Sequence, residues 1–149
     1  IDADHLENYG GDFAKVQEAF AEFLHRLPFY GLAVLCIDDP EVAALAENTP
    51  RHVMTYGLSE RADVRAEDVE QRGAAMHFTL CLPDGTRTPV RLAMPGLHNV
   101  QNALAAATVG WQLGVTGPSI GRALDKFAGI GRRFNLLAEL CTAQGAKVQ

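Results

Sequence analysis

Asn99 and Asn102 stand three residues apart in the stretch Gly96-Leu97-His98-Asn99-Val100-Gln101-Asn102-Ala103-Leu104-Ala105-Ala106-Ala107. On a helix that spacing puts both carboxamides on one face, each with a donor and an acceptor suited to a nucleobase edge. Gly96 provides a turn ahead of the helix. The residues behind, Ala103 to Leu113, include little besides Ala, Val, Leu and Trp111. The pattern predicts a helix buried almost all round whose polar first turn is aimed at a ligand. A second reading of the same residues is that Asn99 only caps the helix.

Two further groups have side chains capable of chemistry. Near the start, Asp2, Asp4, His5 and Glu7 crowd into a carboxylate-rich turn. Such a turn at a strand end can hold a hard divalent cation, with His5 as an unusual nitrogen ligand among carboxylate and phosphate oxygens, or it can be a solvated surface turn. Near the end, Arg132-Arg133-Phe134 follows Gly129 and Gly131. A guanidinium on a glycine hinge can clamp a phosphate while the hinge closes; the plainer reading is a surface arginine pair. Asp38-Asp39-Pro40 reads as a strand terminator and helix cap rather than a metal site. His25, His52 and His77 have no partner at ligand spacing and read as packing or surface residues. Tyr9-Gly10-Gly11-Asp12 is glycine-rich but lacks the Lys-Ser/Thr of a phosphate-binding loop, and the chain contains no such motif.

The elements that must position these groups follow from periodicity. Phe13, Val16, Phe20, Phe23, Leu24 and Leu27 recur at helical spacing, with Asp12 as N-cap and Pro28 as stop. Gly31 to Ile37 is a continuous apolar run, as in a parallel strand buried on both faces. Glu41 to Glu47 reads as a short helix and Val53 to Tyr56 as the next strand, so the chain winds as α/β. The texture then changes. Val64 to Val69, Ala75 to Leu82 and Pro89 to Met94 read as antiparallel strands, the last two joined by the turn Pro83-Asp84-Gly85-Thr86. The helix at 98–113 follows, and another runs from Ser119 to Phe127 with Thr116 or Ser119 as cap. Ala128 to Gly131 reads as a joint, and Arg132 to Leu140 as a strand opening another domain.

Composition sets the outer bounds. The chain has 149 residues, 48% of them hydrophobic, enough for one sizeable core. A net charge of −5 and the lack of any Lys/Arg block argue against nucleic acid. Cys36, Cys81 and Cys141 are odd in number and embedded in apolar runs, which predicts buried free thiols in a reducing, cytoplasmic setting. No apolar run approaches the roughly 20 residues of a membrane span. Both ends, Ile1-Asp2 and Lys147-Val148-Gln149, read as cuts through a longer protein.

Taken in order, the segments Asp2-Ala3-Asp4-His5-Leu6-Glu7-Asn8-Tyr9-Gly10-Gly11-Asp12-Phe13, His98-Asn99-Val100-Gln101-Asn102-Ala103 and Gly129-Ile130-Gly131-Arg132-Arg133-Phe134 make the chain resemble the Mur ligases of bacterial cell-wall synthesis. The resemblance covers essentially the whole chain. It implies an α/β fold: residues 1–128 as part of a P-loop-type central ATP-binding domain, with a mostly parallel sheet plus a small antiparallel one. Residues 129–149 would be the hinge and the first strand of a Rossmann-like C-terminal domain that binds the amino acid. It implies ATP and Mg2+ as cofactors. His5 would be a catalytic residue and metal ligand, and Arg133 catalytic and nucleotide-binding, with Arg132 less clearly matched. His98, Asn99 and Asn102 would line the adenine pocket. Phe23 to Val34 and Cys36 to Pro40 resemble the branch whose substrates are UDP-N-acetylmuramate and L-alanine, joined through an acyl phosphate. The phosphate-binding loop, an acidic magnesium ligand and a ribose-binding acidic residue of the family would all lie outside this sequence. A murein-tripeptide recycling ligase and a non-catalytic nucleotide-binding or interaction module are the competing readings.

Overall fold

The computed structural model describes residues 11–127, 129, 140–141 and 147–148. Helix α1 spans Phe13–His25, β1 Leu32–Cys36, α2 Pro40–Asn48, β2 His52–Gly57, β3 Val64–Arg72, β4 Ala75–Cys81, β5 Arg87–Leu92, α3 Leu97–Gln112 and α4 Gly117–Lys126. Two short strands, β6 Leu140–Cys141 and β7 Lys147–Val148, pair antiparallel. The rest of the strand expected over 132–140 lies outside the described residues.

Strands β1 to β5 form a single sheet in chain order. The pairs β1–β2 and β2–β3 are parallel, whereas β3–β4 and β4–β5 are antiparallel. The α/β class expected from the sequence is observed, but the antiparallel strands do not make a separate small sheet. Strand β3 serves both halves, because its first residues pair with the end of β2 while its full length pairs with β4. A bulge between Glu67 and Glu70 lets that strand bend, with Asp68 in the left-handed region at φ 53°. The β4–β5 hairpin closes where Gly85 N–H donates to the Leu82 carbonyl, with Gly85 at φ 84°.

The core lies under α3. Val100, Ala103, Leu104, Ala107 and Thr108 form its buried stripe at helical spacing, packed on Met54, Val64, Phe78, Leu80, Val90 and Leu92 of the sheet. Thr108 is fully buried and satisfied, its hydroxyl donating to the Leu104 carbonyl at 2.7 Å. The helix is not buried all round as its composition suggests: Val109 and Leu113 are exposed. Alanine-rich sequence lets a helix approach a sheet closely, but one sheet covers only one helical face.

Helix α4 lies against β5 through two glycines. A Cβ on Gly117 would meet Thr86 Cγ2 at 2.7 Å and Leu82 Cδ1 at 2.9 Å, and one on Gly121 would meet Thr88 Cγ2 at 2.5 Å. Thr116 is the N-cap, and its hydroxyl donates to Ser119 Oγ at 3.0 Å rather than capping the backbone.

The other end of the sheet is packed more thinly. Among the described residues β1 is an edge strand with only Ala33 buried, so the two-face burial expected for it is not found. Asp12 caps α1 as expected, accepting from Ala14 N–H at 3.0 Å, yet only Val16 and Leu24 of that helix are buried, while Phe20 and Phe23 are exposed. Cys81 is a buried free thiol and Cys36 a half-buried one; burial raises the pKa of both. The Cys141 side chain lies outside the described residues.

Candidate functional site

The first turn of α3 opens with Gly96 as N-cap at φ 96°, a conformation that favours glycine. A Cβ there would also lie 2.8 Å from His98 Cε1, because the imidazole folds back over this residue. The turn is closed by Asn99 N–H donating to the Gly96 carbonyl at 3.1 Å. Asn99 itself is not the cap. It is buried at the third helical position, and its Nδ2 donates backwards to the Pro95 carbonyl at 2.6 Å. That bond uses the donor side of the carboxamide and leaves its acceptor oxygen out of it. Asn102, one turn further, is exposed.

His98, Asn99 and Asn102 line one cavity of about 420 Å³. Its remaining walls come from three directions: Leu92 and Met94 at the end of β5, Ala103 and Ala106 on α3, and Ala123, Leu124 and Phe127 on and after α4. The structure thus brings together three residues singled out in the sequence and surrounds them with apolar surface. Apolar walls with a few polar groups at one end fit a flat heteroaromatic ring with hydrogen-bonding edges. The walls were hidden from sequence reasoning, because Met94, Ala123 and Phe127 belong to different elements and none has a chemical signature.

Phe127, the residue before the predicted joint, lines the cavity. Gly129 has φ 91°, and a Cβ on it would lie 3.6 Å from Met94 Sδ. Gly129, within the joint expected over Ala128 to Gly131, therefore lies against the cavity wall. Arg132 and Arg133, expected just beyond, lie outside the described residues, as do Asp2, Asp4, His5 and Glu7. Among the described residues no group of three or more His, Cys, Asp or Glu is placed to hold a metal ion.

The acidic pair after β1 divides its work. Asp39 caps α2, its carboxylate accepting from Glu41 and Val42 N–H at 2.8 and 3.1 Å. Asp38 does something the sequence did not show. Its Oδ1 accepts from Leu58 N–H at 2.7 Å and Ser59 N–H at 3.1 Å, and its Oδ2 accepts from Gln101 Nε2 at 2.8 Å. One carboxylate thereby joins the ends of β1 and β2 to the first turns of α3. Gly57 makes room for it, since a Cβ there would lie 2.4 Å from Asp38 Oδ1. The signal available in the sequence was the doubling of the aspartate: one residue suffices as a cap.

Residues 1–110 match the Mur ligase middle domain. The chain belongs to the Mur ligase family. Over all 149 residues this Mur ligase sequence is 74% identical to a UDP-N-acetylmuramate–L-alanine ligase of Xanthomonas campestris pv. campestris and 72% identical to one of Xanthomonas oryzae pv. oryzae. In each case it spans 31% of the relative's length. Among solved structures, MurF from Acinetobacter baumannii superposes with a TM-score of 0.78 at 29% identity, over 96% of this chain and 30% of that one. The UDP-N-acetylmuramate-alanine ligase MurC from Thermotoga maritima does so with a TM-score of 0.71 at 27% identity, over 91% of this chain and 29% of that one. No helix among the described residues of this Mur ligase is long and apolar enough to cross a membrane.

Proposed function

We propose that this chain is the adenine-binding part of a cytoplasmic, ATP-dependent ligase that joins L-alanine to the lactoyl carboxylate of UDP-N-acetylmuramate in peptidoglycan precursor synthesis. The observation that carries the reading is the cavity at the start of α3, where two carboxamides on one helical face meet apolar walls. Its chemistry suits adenine. The Asn99 oxygen, left out of the bond to Pro95, accepts from the exocyclic amino group, and Asn102 offers a donor and an acceptor to the ring edge. Met94, Ala106 and Phe127 exclude water from the faces of the base.

The substrates come from the names of the relatives, whose identity extends across the whole chain. In the reaction proposed, a carboxylate oxygen takes the γ-phosphoryl group of ATP to give an acyl phosphate and ADP. The amine of L-alanine then attacks the acyl carbon and expels phosphate, leaving an amide. Mg2+ would neutralise charge on the transferred phosphoryl oxygens, and His5 is the residue of this chain proposed to hold it. Arg133, beyond the Gly129 joint, is proposed to reach the nucleotide when the following domain, from residue 129 on, closes over it and brings amine and acyl phosphate together.

In the full-length ligase carrying this chain, Asn102→Ala is expected to raise the KM for ATP by roughly 10-fold or more, the loss of one good hydrogen-bonded contact. The KM for UDP-N-acetylmuramate should stay within about twofold, which is within ordinary scatter for a site that the substitution does not touch. Equal loss for both substrates would overturn the assignment. Phosphate release that depends on a murein tripeptide instead of L-alanine would move the enzyme to the recycling branch.

A further inference from the structure

We infer that Asp38 and Gln101 form a positioning pair for the nucleotide end of α3, a role that rests on the adenine reading of the cavity. Three observations lead there. First, Gln101 lies between the two pocket asparagines in sequence and turns away from them, its Nε2 donating to Asp38 Oδ2 at 2.8 Å. Second, Asp38 is itself fixed on its other oxygen by two backbone N–H groups, of Leu58 and Ser59, and Gly57 is the residue whose missing Cβ leaves it space. A carboxylate held at one oxygen is a rigid anchor for whatever binds the other. Third, the N-cap of α3 is a glycine with no side-chain hydrogen bond to the helix, and Asn99 ties the first turn back only to Pro95 in the preceding loop, so it is Gln101 that ties these turns to the sheet strands through Asp38. The core contacts of Val100 and Leu104 fix how deep the helix sits. The Asp38–Gln101 bond adds a polar constraint on its rotation, and rotation decides where Asn99 and Asn102 point.

Neither residue needs to touch the nucleotide. The pair ties the ends of two parallel strands to the pocket, so geometry at those strand ends is transmitted to the adenine contacts through one hydrogen bond.

The pair can be inverted chemically, which gives the test. Gln101→Glu sets a carboxylate against the Asp38 carboxylate. Adding Asp38→Asn then restores a bond of opposite direction, with the new amide donating to the new carboxylate. In the full-length ligase, Q101E is expected to raise the KM for ATP by about 10-fold, as loss of a charge-assisted bond implies, with kcat for the folded fraction kept. The D38N/Q101E double variant is expected to recover most of that loss. A merely structural role predicts another pattern: a lower melting temperature and less active enzyme, with an unaltered KM for ATP. An unaltered KM in Q101E, or a double variant no better than Q101E, overturns the positioning role. Asn102→Ala separates the two layers. If it raises the KM for ATP while Q101E does not, only the positioning pair falls; if it leaves that KM unchanged, the adenine reading falls and the pair with it.

Discussion

The two halves of the sheet are built to different standards. In the antiparallel half, Val64, Leu80 and Leu92 of β3–β5 are at most 1% exposed, as are Val100 and Leu104 of α3, which lies across both halves. In the parallel half, β1 buries only Ala33, α2 has no buried residue, and α1 leaves Phe20 and Phe23 open. The candidate nucleotide cavity belongs to the tightly packed half, between α3, α4 and the end of β5. A pocket that must hold a base in one orientation gains from walls that cannot relax. The parallel half contributes by packing β1 and β2 under α3 and by the bond from Gln101 to Asp38.

The largest test of this contrast is a pair of leucine truncations. Leu104→Ala removes a side chain with no exposed surface from the centre of the core and should cost about 2–5 kcal/mol in chemical denaturation. Leu35→Ala, half-buried on β1, should cost about 1 kcal/mol or less, because the site is already partly open and can relax. Equal costs would show that the edge strand is as firmly packed as the centre, and the division would fail.

A second, smaller effect tests the connection between the halves. Gly57→Ala places a methyl group where the Asp38 carboxylate now lies, so the carboxylate must move and its bonds to Leu58 and Ser59 N–H must weaken. The expected cost is about 1–3 kcal/mol, with a raised KM for ATP in the full-length ligase. A thermal melt and a KM both unchanged would mean that the strand ends do not steer α3.

These differences also mark what could be read from the sequence. Helices α1 and α3, strands β1, β2 and β4 and the Gly85 turn were legible, because each rests on local periodicity or on one residue with a special backbone. The shared face of Asn99 and Asn102 was legible for the same reason: i, i+3 spacing is local geometry. The continuity of the sheet was not, since whether β3 pairs with β2 as well as with β4 depends on contacts no local pattern encodes. Burial was overestimated, in β1 and in α3 alike. Apolar runs such as Leu32–Cys36 state what a segment tolerates, while exposure depends on which neighbours are present. The cavity walls and the Asp38 clamp were missed because they join residues as far apart as 38 and 101.

The smallest effect comes from the face of β3–β5 turned away from the core, where Glu67 takes a hydrogen bond from Arg87 and another from Arg65 at 2.9 Å. Chiefly through Arg87, then Arg65, these bonds lower the Glu67 pKa to about 2 from an ordinary 4.5. A depressed carboxylate stabilises the folded state at pH above its unfolded value, and that contribution is lost as pH falls from about 4.5 through 2. Glu67→Gln should therefore destabilise the protein at pH 7, modestly because both partners stand in solvent that screens them, and the two proteins should converge as pH falls toward 2. Denaturation midpoints of both proteins at pH 7 and pH 3 decide it. A gap between them that stays constant with pH would remove Glu67 from the acid response.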